Sequence, residues 1–312
     1  MRRPDTKTGI LLALVCLALL GVMPVLSNAR DLRVDALVFA FALSAWQVVF
    51  AVPLFAGEMV GARRKGVFAA TWGPGRKRRA LVIALATGAM FGLSTYLYVL
   101  GAEKAGSVNL AIAIQAYPLF AIAWETIFLG RRKTPPELLI TAVLLATLVF
   151  LATGGTLRPS GLSLWFLVAL GVPFLWSVAH VIIREELMHT PVTPAQVTFF
   201  RVAISTVFLA LMLVFGGAFD AGVVRAIFVP HAIALGLVYY LELIVWFHAV
   251  RHIDVSLASS ITAPWPALTM VLAAVVLGEA VAPYQIVSFA IIVACIYGLT
   301  LASLRRGPQS AG

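Results

Sequence analysis

The chain has 312 residues, of which 62% are hydrophobic and only 12% are charged, and its mean hydropathy is +1.00. A soluble domain carries roughly 25% charged residues, so this composition excludes an ordinary soluble protein and predicts one that resides in a lipid bilayer. The formal net charge of +10 does not indicate nucleic-acid binding, because the basic residues form short clusters between apolar segments.

Long apolar segments recur along the whole chain and predict ten transmembrane helices. A bilayer core about 30 Å thick requires roughly 20 helical residues at 1.5 Å per residue. The first five predicted helices cover residues 9–26, 36–55, 80–100, 108–129 and 138–152. The second five cover residues 162–183, 195–215, 226–250, 255–277 and 284–304. The predicted fold class is therefore an all-α integral membrane protein with ten transmembrane helices and no soluble domain.

Lysine and arginine residues are concentrated on one side of the membrane when these predicted helices cross it in succession. Seventeen lie at the termini and in the even-numbered loops, whereas five lie in the odd-numbered loops. Short cytoplasmic loops carry the excess of basic residues. We therefore expect a multi-pass protein of the cell (inner) membrane with both termini in the cytoplasm.

Two proline-containing segments resemble each other. Pro118 and Pro266 lie 148 residues apart, and each is followed eleven residues later by Leu-Gly, at 129–130 and 277–278. Such similarity predicts two repeats, residues 1–156 and 157–312. Each repeat contains five crossings, an odd number, so the second is expected to be inverted relative to the first, as in many secondary transporters.

The two five-helix halves and the Leu277-Gly278-Glu279 ending resemble the drug/metabolite transporter (DMT) superfamily, specifically its EamA-type ten-helix transporters. The resemblance covers nearly the whole chain. It implies movement of small organic metabolites such as amino acids, often outward, by alternating access. The first half departs from the pattern, because Arg131 stands where the family has a glutamate. The role of that glutamate is therefore not transferred to Arg131.

Prolines inside the fourth and ninth predicted helices are candidate hinges. Proline removes one helical hydrogen bond and clashes with the carbonyl four residues earlier. A freed carbonyl within a membrane requires protein or a watery cavity, so Pro118, Pro264 and Pro266 are predicted to flex helices beside the substrate path. Bending for packing alone is the alternative.

Polar and aromatic side chains in the middle of the helices are candidate substrate contacts. Polar groups rarely face lipid without a reason, although hydrogen bonding between helices and plain aromatic packing are the alternatives. The candidate cavity residues are Trp46, Tyr96, Gln115, Tyr117, Tyr239, Glu242, Trp246, Thr262 and Trp265. Cys16 is interpreted as a small packing residue, and His180 as an interfacial polar residue.

Glu242 lies near the middle of the eighth predicted helix, where a carboxylate costs about 2.5 to 3.5 kcal/mol on insertion scales. It therefore requires a partner or a proton. Arg201 lies at a similar depth on the preceding helix, so the two are predicted to form an ion pair, either a fixed brace or a gate that breaks during transport. Snorkelling of Arg201 to the surface would leave the residues apart.

A secondary transporter is the leading hypothesis, with a small-molecule substrate and the lipid bilayer as its partners. Proton coupling and a homodimer are left open. Neither a cofactor nor enzymatic activity is expected, and residues 73–77 lack the spacing of a phosphate-binding loop. The alternative is an integral-membrane enzyme acting on a lipid or isoprenoid, but such chemistry requires several ionisable groups converging near one interface. A passive channel is the third hypothesis.

Overall fold

The structure, a computed structural model, describes residues 6–59, 73–128, 134–187, 192–249, 252–253, 258 and 261–305. These residues are helical or lie in turns and loops, and no strand occurs among them. In this part of the chain, eight helical segments are long and apolar enough to cross a membrane, and two shorter apolar helices accompany them. The prediction of an all-helical membrane protein is confirmed.

The helices of the first half are α1 (Thr6–Asn28), α2 (Ala36–Met59), α3 (Pro74–Ala105), α4 (Ser107–Ile114), α5 (Tyr117–Phe128) and α6 (Pro135–Ala152). Those of the second half are α7 (Leu164–Leu187), α8 (Pro194–Phe215), α9 (Ala221–Ile227), α10 (Pro230–Ala249), α11 (Trp265–Leu272) and α12 (Pro283–Arg305). A π-helical turn, Ala273–Leu277, continues α11.

The fourth predicted helix is broken, which corrects the expectation of one continuous helix. The backbone N–H groups of Gln115 and Ala116 donate to carbonyls only three residues earlier, so α4 ends in a tight turn. Pro118 then occupies the first turn of α5, where its missing N–H costs no helical hydrogen bond. Proline therefore begins a new helix here and does not kink an existing one.

The ninth predicted helix is also divided, and the eighth begins four residues later than predicted, after the short helix α9. In the ninth, a turn at 263–264 precedes α11, whose first turn contains Pro266. In the eighth, α9 ends at Ile227 and α10 begins at Pro230. In both cases a proline opens the following helix, as the fixed φ of proline favours.

Packing between the helices creates a common interior. The helix α3 packs against α7 and α8, α1 against α10 and α11, α2 against α8 and α10, and α6 against α12. One large apolar core contains residues of nearly all of these helices. Large apolar side chains such as Leu139, Phe215 and Val275 remain exposed on the outside, which suits contact with lipid.

Close approach of α3 and α8 depends on a glycine. A Cβ atom at Gly88 would lie only 2.4 Å from the side chain of Ile204. The Ser205 hydroxyl also donates to the Gly88 carbonyl at 2.8 Å. The absence of a side chain at position 88 thus brings Arg201, one turn before Ser205, close to α3.

Candidate functional site

Glu242 lies on α10 and meets α1 in the interior. The thiol of Cys16 donates to the Oε1 atom of Glu242 across 3.4 Å, and Cys16 itself is fully buried. Cys16 is therefore more than the packing residue that the sequence predicts, since it contacts the Glu242 carboxylate directly. This role could not be predicted, because apolar segments often contain a lone cysteine.

Arg201 projects from α8 onto α3. Its guanidinium carbon lies 3.5 Å from the centroid of the Phe91 ring, a cation–π contact. Arg201 also interacts electrostatically with Tyr239 and Glu242. Within the described residues, however, neither Arg201 nor Glu242 takes part in a salt bridge. The two predicted partners share one region, and a direct ion pair between them stays a prediction for another conformation.

Three aromatic side chains, the aromatic triad, join α3, α7 and α10. The ring centroids of Tyr98, Trp176 and Tyr239 lie 6.4 Å from one another in each of the three pairs. The indole N–H of Trp176 donates to the Ser94 hydroxyl at 2.9 Å, which fixes its orientation. Trp176 and Phe91 were missed by sequence reasoning, because aromatic residues are common in membrane helices and only their neighbours distinguish these two.

His180 lies inside the bundle, which corrects its interpretation as an interfacial residue. Its ring centroid is 5.2 Å from that of Phe91 and 5.9 Å from that of Tyr117. It also interacts electrostatically with Arg201. The structure therefore places the predicted cavity residue Tyr117 beside the Arg201 region.

The two helix breaks meet each other. The Gln115 side chain donates from Nε2 to the carbonyl oxygen of Ala263 at 3.1 Å. These residues are 148 positions apart, the same separation as Pro118 and Pro266. Gln115 thus hydrogen-bonds between helices, which was the alternative explanation for its polarity. The predicted cavity residues Thr262 and Trp265 flank this contact and are buried.

Three other predicted cavity residues lie elsewhere. Trp46 donates from its indole N–H to the carbonyl of Ile227 at 2.7 Å, at the end of α9. Tyr96 interacts electrostatically with Asp35, which precedes α2, and with Glu103 in the last turn of α3. Trp246 packs into a separate apolar cluster with Ala13, Ile253 and Ala258. On α10, Tyr239 therefore lies in the large core, whereas Trp246 lies against the separate cluster.

Glu279, in the Leu-Gly-Glu ending, caps a helix of the other half. Its two carboxylate oxygens each lie 3.1 Å from the backbone N of Ser107, the first residue of α4. The Asn28 side chain donates to the same carboxylate at 2.9 Å. Gly278 has φ +69° and ends the preceding helix in the left-handed region. The motif therefore stops one helix and places an anion at the start of another.

Arg30 extends this polar end of the bundle. It is 3% exposed and forms an ion pair with Glu103 at the end of α3. Burial lowers the pKa of the Arg30 guanidinium from its ordinary value, while the charge of Glu103 raises it. The end of the bundle at which α1 finishes is thus closed by charged contacts between α1, α3, α4 and the segment after α11.

Some predicted features fall outside the part of the chain that the structure describes. These are the Leu129-Gly130-Arg131 ending and residues 60–72 of the loop between the second and third predicted helices. Among the residues that it does describe, no group of three or more His, Cys, Asp and Glu side chains is arranged to hold a metal ion.

Comparison with known proteins gives one family and a related fold. The EamA-like transporter family matches residues 163–301. No curated protein matches the chain. Among 28 matching chains of solved structures, one entitled "Crystal structure of protein" is 18% identical with a TM-score of 0.60. That match covers 97% of this chain and 100% of the other, and it indicates a shared fold.

Proposed function

We propose that the chain is a transporter of the EamA-like family in the DMT superfamily, whose family model matches residues 163–301, and that it exports small organic metabolites such as amino acids by secondary-active alternating access. The family match is the observation that carries this proposal. The interior charges of Arg201 and Glu242, together with the aromatic triad, supply the region through which a solute would pass.

Pairwise packing supports two inverted repeats of five crossings each. In such an arrangement α1, α2 and α3 correspond to α7, α8 and α10. Contact of α1 with α10 then corresponds to contact of α7 with α3, and both pairs pack together. Contacts of α2 with α10 and of α8 with α3 form a second matched pair. The helices α6 and α12, the last of each repeat, pack against each other.

The contact between the helix breaks supports a hinge on the axis that relates the repeats. Gln115 and Ala263 occupy equivalent positions, so a hydrogen bond between them is expected where the two copies cross. The prolines Pro118, Pro264 and Pro266 lie within three residues of this contact. We assign them the role of allowing the adjoining half-helices to move between outward-open and inward-open states.

Substrate contact is assigned to the side chains around the central charges. Tyr117, Tyr239 and Glu242 face this region, whereas Thr262 and Trp265 lie beside the helix breaks. Trp46, Tyr96 and Trp246 are placed further out and would contact the solute on its way in or out. Direct pairing of Arg201 with Glu242 is proposed for a state without solute, and Glu242 is the candidate for proton coupling.

Flux through reconstituted vesicles tests the proposed transport. Purified protein in vesicles is expected to move at least one of a panel of amino acids, vitamins and nucleotides above the rate of protein-free vesicles. An imposed pH gradient reveals whether protons are coupled. Absence of flux for every solute, together with turnover of a supplied lipid or isoprenoid, would contradict the transporter hypothesis and support a membrane enzyme.

A further inference from the structure

Arg201 is a partly buried cation that forms no salt bridge with a described carboxylate. Among the residues described, it forms no salt bridge, and Phe91 covers one face of its guanidinium at 3.5 Å. A charge in the interior of a membrane protein is costly unless it is paired. The nearby carboxylate of Glu242 accepts from the Cys16 thiol at 3.4 Å through its Oε1 atom and interacts with Arg201 only electrostatically. An anionic group from outside the chain would therefore complete this region.

The guanidinium of Arg201 and the hydroxyl of Tyr239 are donors of the kind that bind a carboxylate. Stacking on Phe91 occupies the face of the guanidinium, whereas its N–H groups point outward in the plane and bind planar anions in pairs. The hydroxyl of Tyr239, a residue only 3% exposed, interacts with Thr95 and Arg201, and it has no closer hydrogen-bond partner among the described residues. The guanidinium of Arg201 and the hydroxyl of Tyr239 thus lie close to each other.

Apolar surface adjoins these donors. Tyr239 is also a member of the aromatic triad, so the rings of Tyr98 and Trp176 lie next to its hydroxyl-bearing ring. The hydrogen bond from Trp176 to Ser94 holds the indole in place. Rings held in fixed positions favour stacking with a flat, apolar solute.

We propose that Arg201 and Tyr239 bind the carboxylate of an organic anion whose ring-bearing, apolar body packs against Tyr98 and Trp176. This inference rests on the proposed function, because it names the chemical class of the solute that the central region carries. Glu242 lies one helical turn beyond Tyr239 and would repel a second negative charge. Monoanions and zwitterions are therefore selected over dianions.

Binding of four matched probes to the purified protein tests the proposal. The probes are 3-phenylpropionate, its neutral amide, phenylalanine and the dianion phenylsuccinate, each measured by isothermal titration calorimetry. We expect 3-phenylpropionate to bind roughly tenfold or more tightly than the amide, since a hydrogen bond to a charged group contributes at least that factor. Phenylsuccinate is expected to bind more weakly than 3-phenylpropionate.

Variants assign the effect to the residues. Arg201→Gln is expected to weaken binding of 3-phenylpropionate by roughly tenfold or more and leave the amide unchanged. Arg201→Lys keeps the charge but loses the paired planar donors, so an intermediate loss is expected. Tyr239→Phe removes only the hydroxyl and is expected to weaken the binding of 3-phenylpropionate but not that of the amide. Arg225→Gln, an exposed position on α9, is the control and is expected to bind like the wild type.

Wild-type affinity for 3-phenylpropionate in folded Arg201→Gln, or equal affinity for acid and amide, would overturn the proposal. If Arg201→Gln does not fold, unchanged affinity in both Arg201→Lys and Tyr239→Phe would overturn it. Phenylalanine is compared in the same way: if it binds more tightly than 3-phenylpropionate and Glu242→Gln abolishes this difference, the result supports the carboxylate site and identifies the carboxylate as that of an amino acid. Binding of 3-phenylpropionate without flux of any solute through vesicles would refute the proposed transport but not this carboxylate site. Flux of neutral solutes that is unchanged in Arg201→Gln would refute the carboxylate site but not transport.

Discussion

Glu242 and Arg201 illustrate how single residues determine the interior of this protein. Each carries a charge in a helix that otherwise consists mainly of apolar residues, and each is supported by an unconventional partner. The Cys16 thiol donates a hydrogen bond to Glu242, and Phe91 presents its ring face to Arg201. Both contacts are weaker than a direct salt bridge. The charges therefore remain able to exchange partners with a solute.

Replacing Glu242 by Gln tests the importance of its charge. Gln keeps the size of the side chain and an oxygen that accepts from Cys16, so the protein is expected to insert and fold. Transport of the best solute of the vesicle panel is expected to fall by roughly tenfold or more, which corresponds to about 1.4 kcal/mol or more. Cys16→Ser, which keeps a hydrogen-bond donor, is the matched control and should retain most of the transport. Wild-type rates in Glu242→Gln across the pH range would remove Glu242 from the mechanism.

Prediction from sequence succeeded best where a residue contrasts with its surroundings. A carboxylate or guanidinium in an apolar segment is visible in the sequence, and the structure brings Glu242 and Arg201 into one region. Trp176 and Cys16 carry no such contrast. Their roles depend on the rotation of each helix about its axis and on its neighbours, which hydrophobic periodicity does not determine in a helix that is apolar on all sides.

At the scale of whole elements, the breaks in the helices follow from local chemistry. Pro118, Pro230 and Pro266 each lie in the first turn of a helix, because proline loses no hydrogen bond there. The sequence predicted a disturbance near Pro118 and Pro266 but not a complete break. Whether a proline kinks one helix or opens another depends on tertiary contacts such as the hydrogen bond from Gln115 to Ala263.

The contact of Glu279 with the start of α4 is predicted to stabilise the packing of the helices. Glu279→Ala removes an anion from the N-terminus of α4 and an acceptor from Asn28, so we expect a loss of roughly 1 to 2 kcal/mol in the free energy of unfolding. Glu279→Gln keeps an acceptor and should lose less. The measurement is the unfolding temperature in detergent.

A cap that acts within one short helix is the control for this effect. Asp220 accepts hydrogen bonds from Gly222 and Val223 at the start of α9 and is exposed. Asp220→Ala should lower the unfolding temperature less than Glu279→Ala, because the Asp220 bonds join no other element. An unchanged unfolding temperature in Glu279→Ala would show that the cap does not hold the two halves together.

For the molecule as a whole, composition and hydropathy predicted a helical membrane protein and the approximate position of most of its segments. They did not predict which helices pack together, because segments that are apolar on every face have no unique partner. Matched pairs such as α1 with α10 and α3 with α7 became apparent only from the structure. Such matched pairs support the proposal that the second half repeats the packing of the first.

Inversion of the two halves is tested most directly by labelling equivalent loops from one side of the membrane. Leu32 lies between the first two helices of the first half, and Val192 lies between those of the second. In intact cells, an impermeant maleimide is expected to label Leu32→Cys, but to label Val192→Cys only after permeabilisation. The wild type gives the background, since Cys16 and Cys295 are buried. Labelling of both positions from the same side would contradict inverted halves and the transport cycle that depends on them.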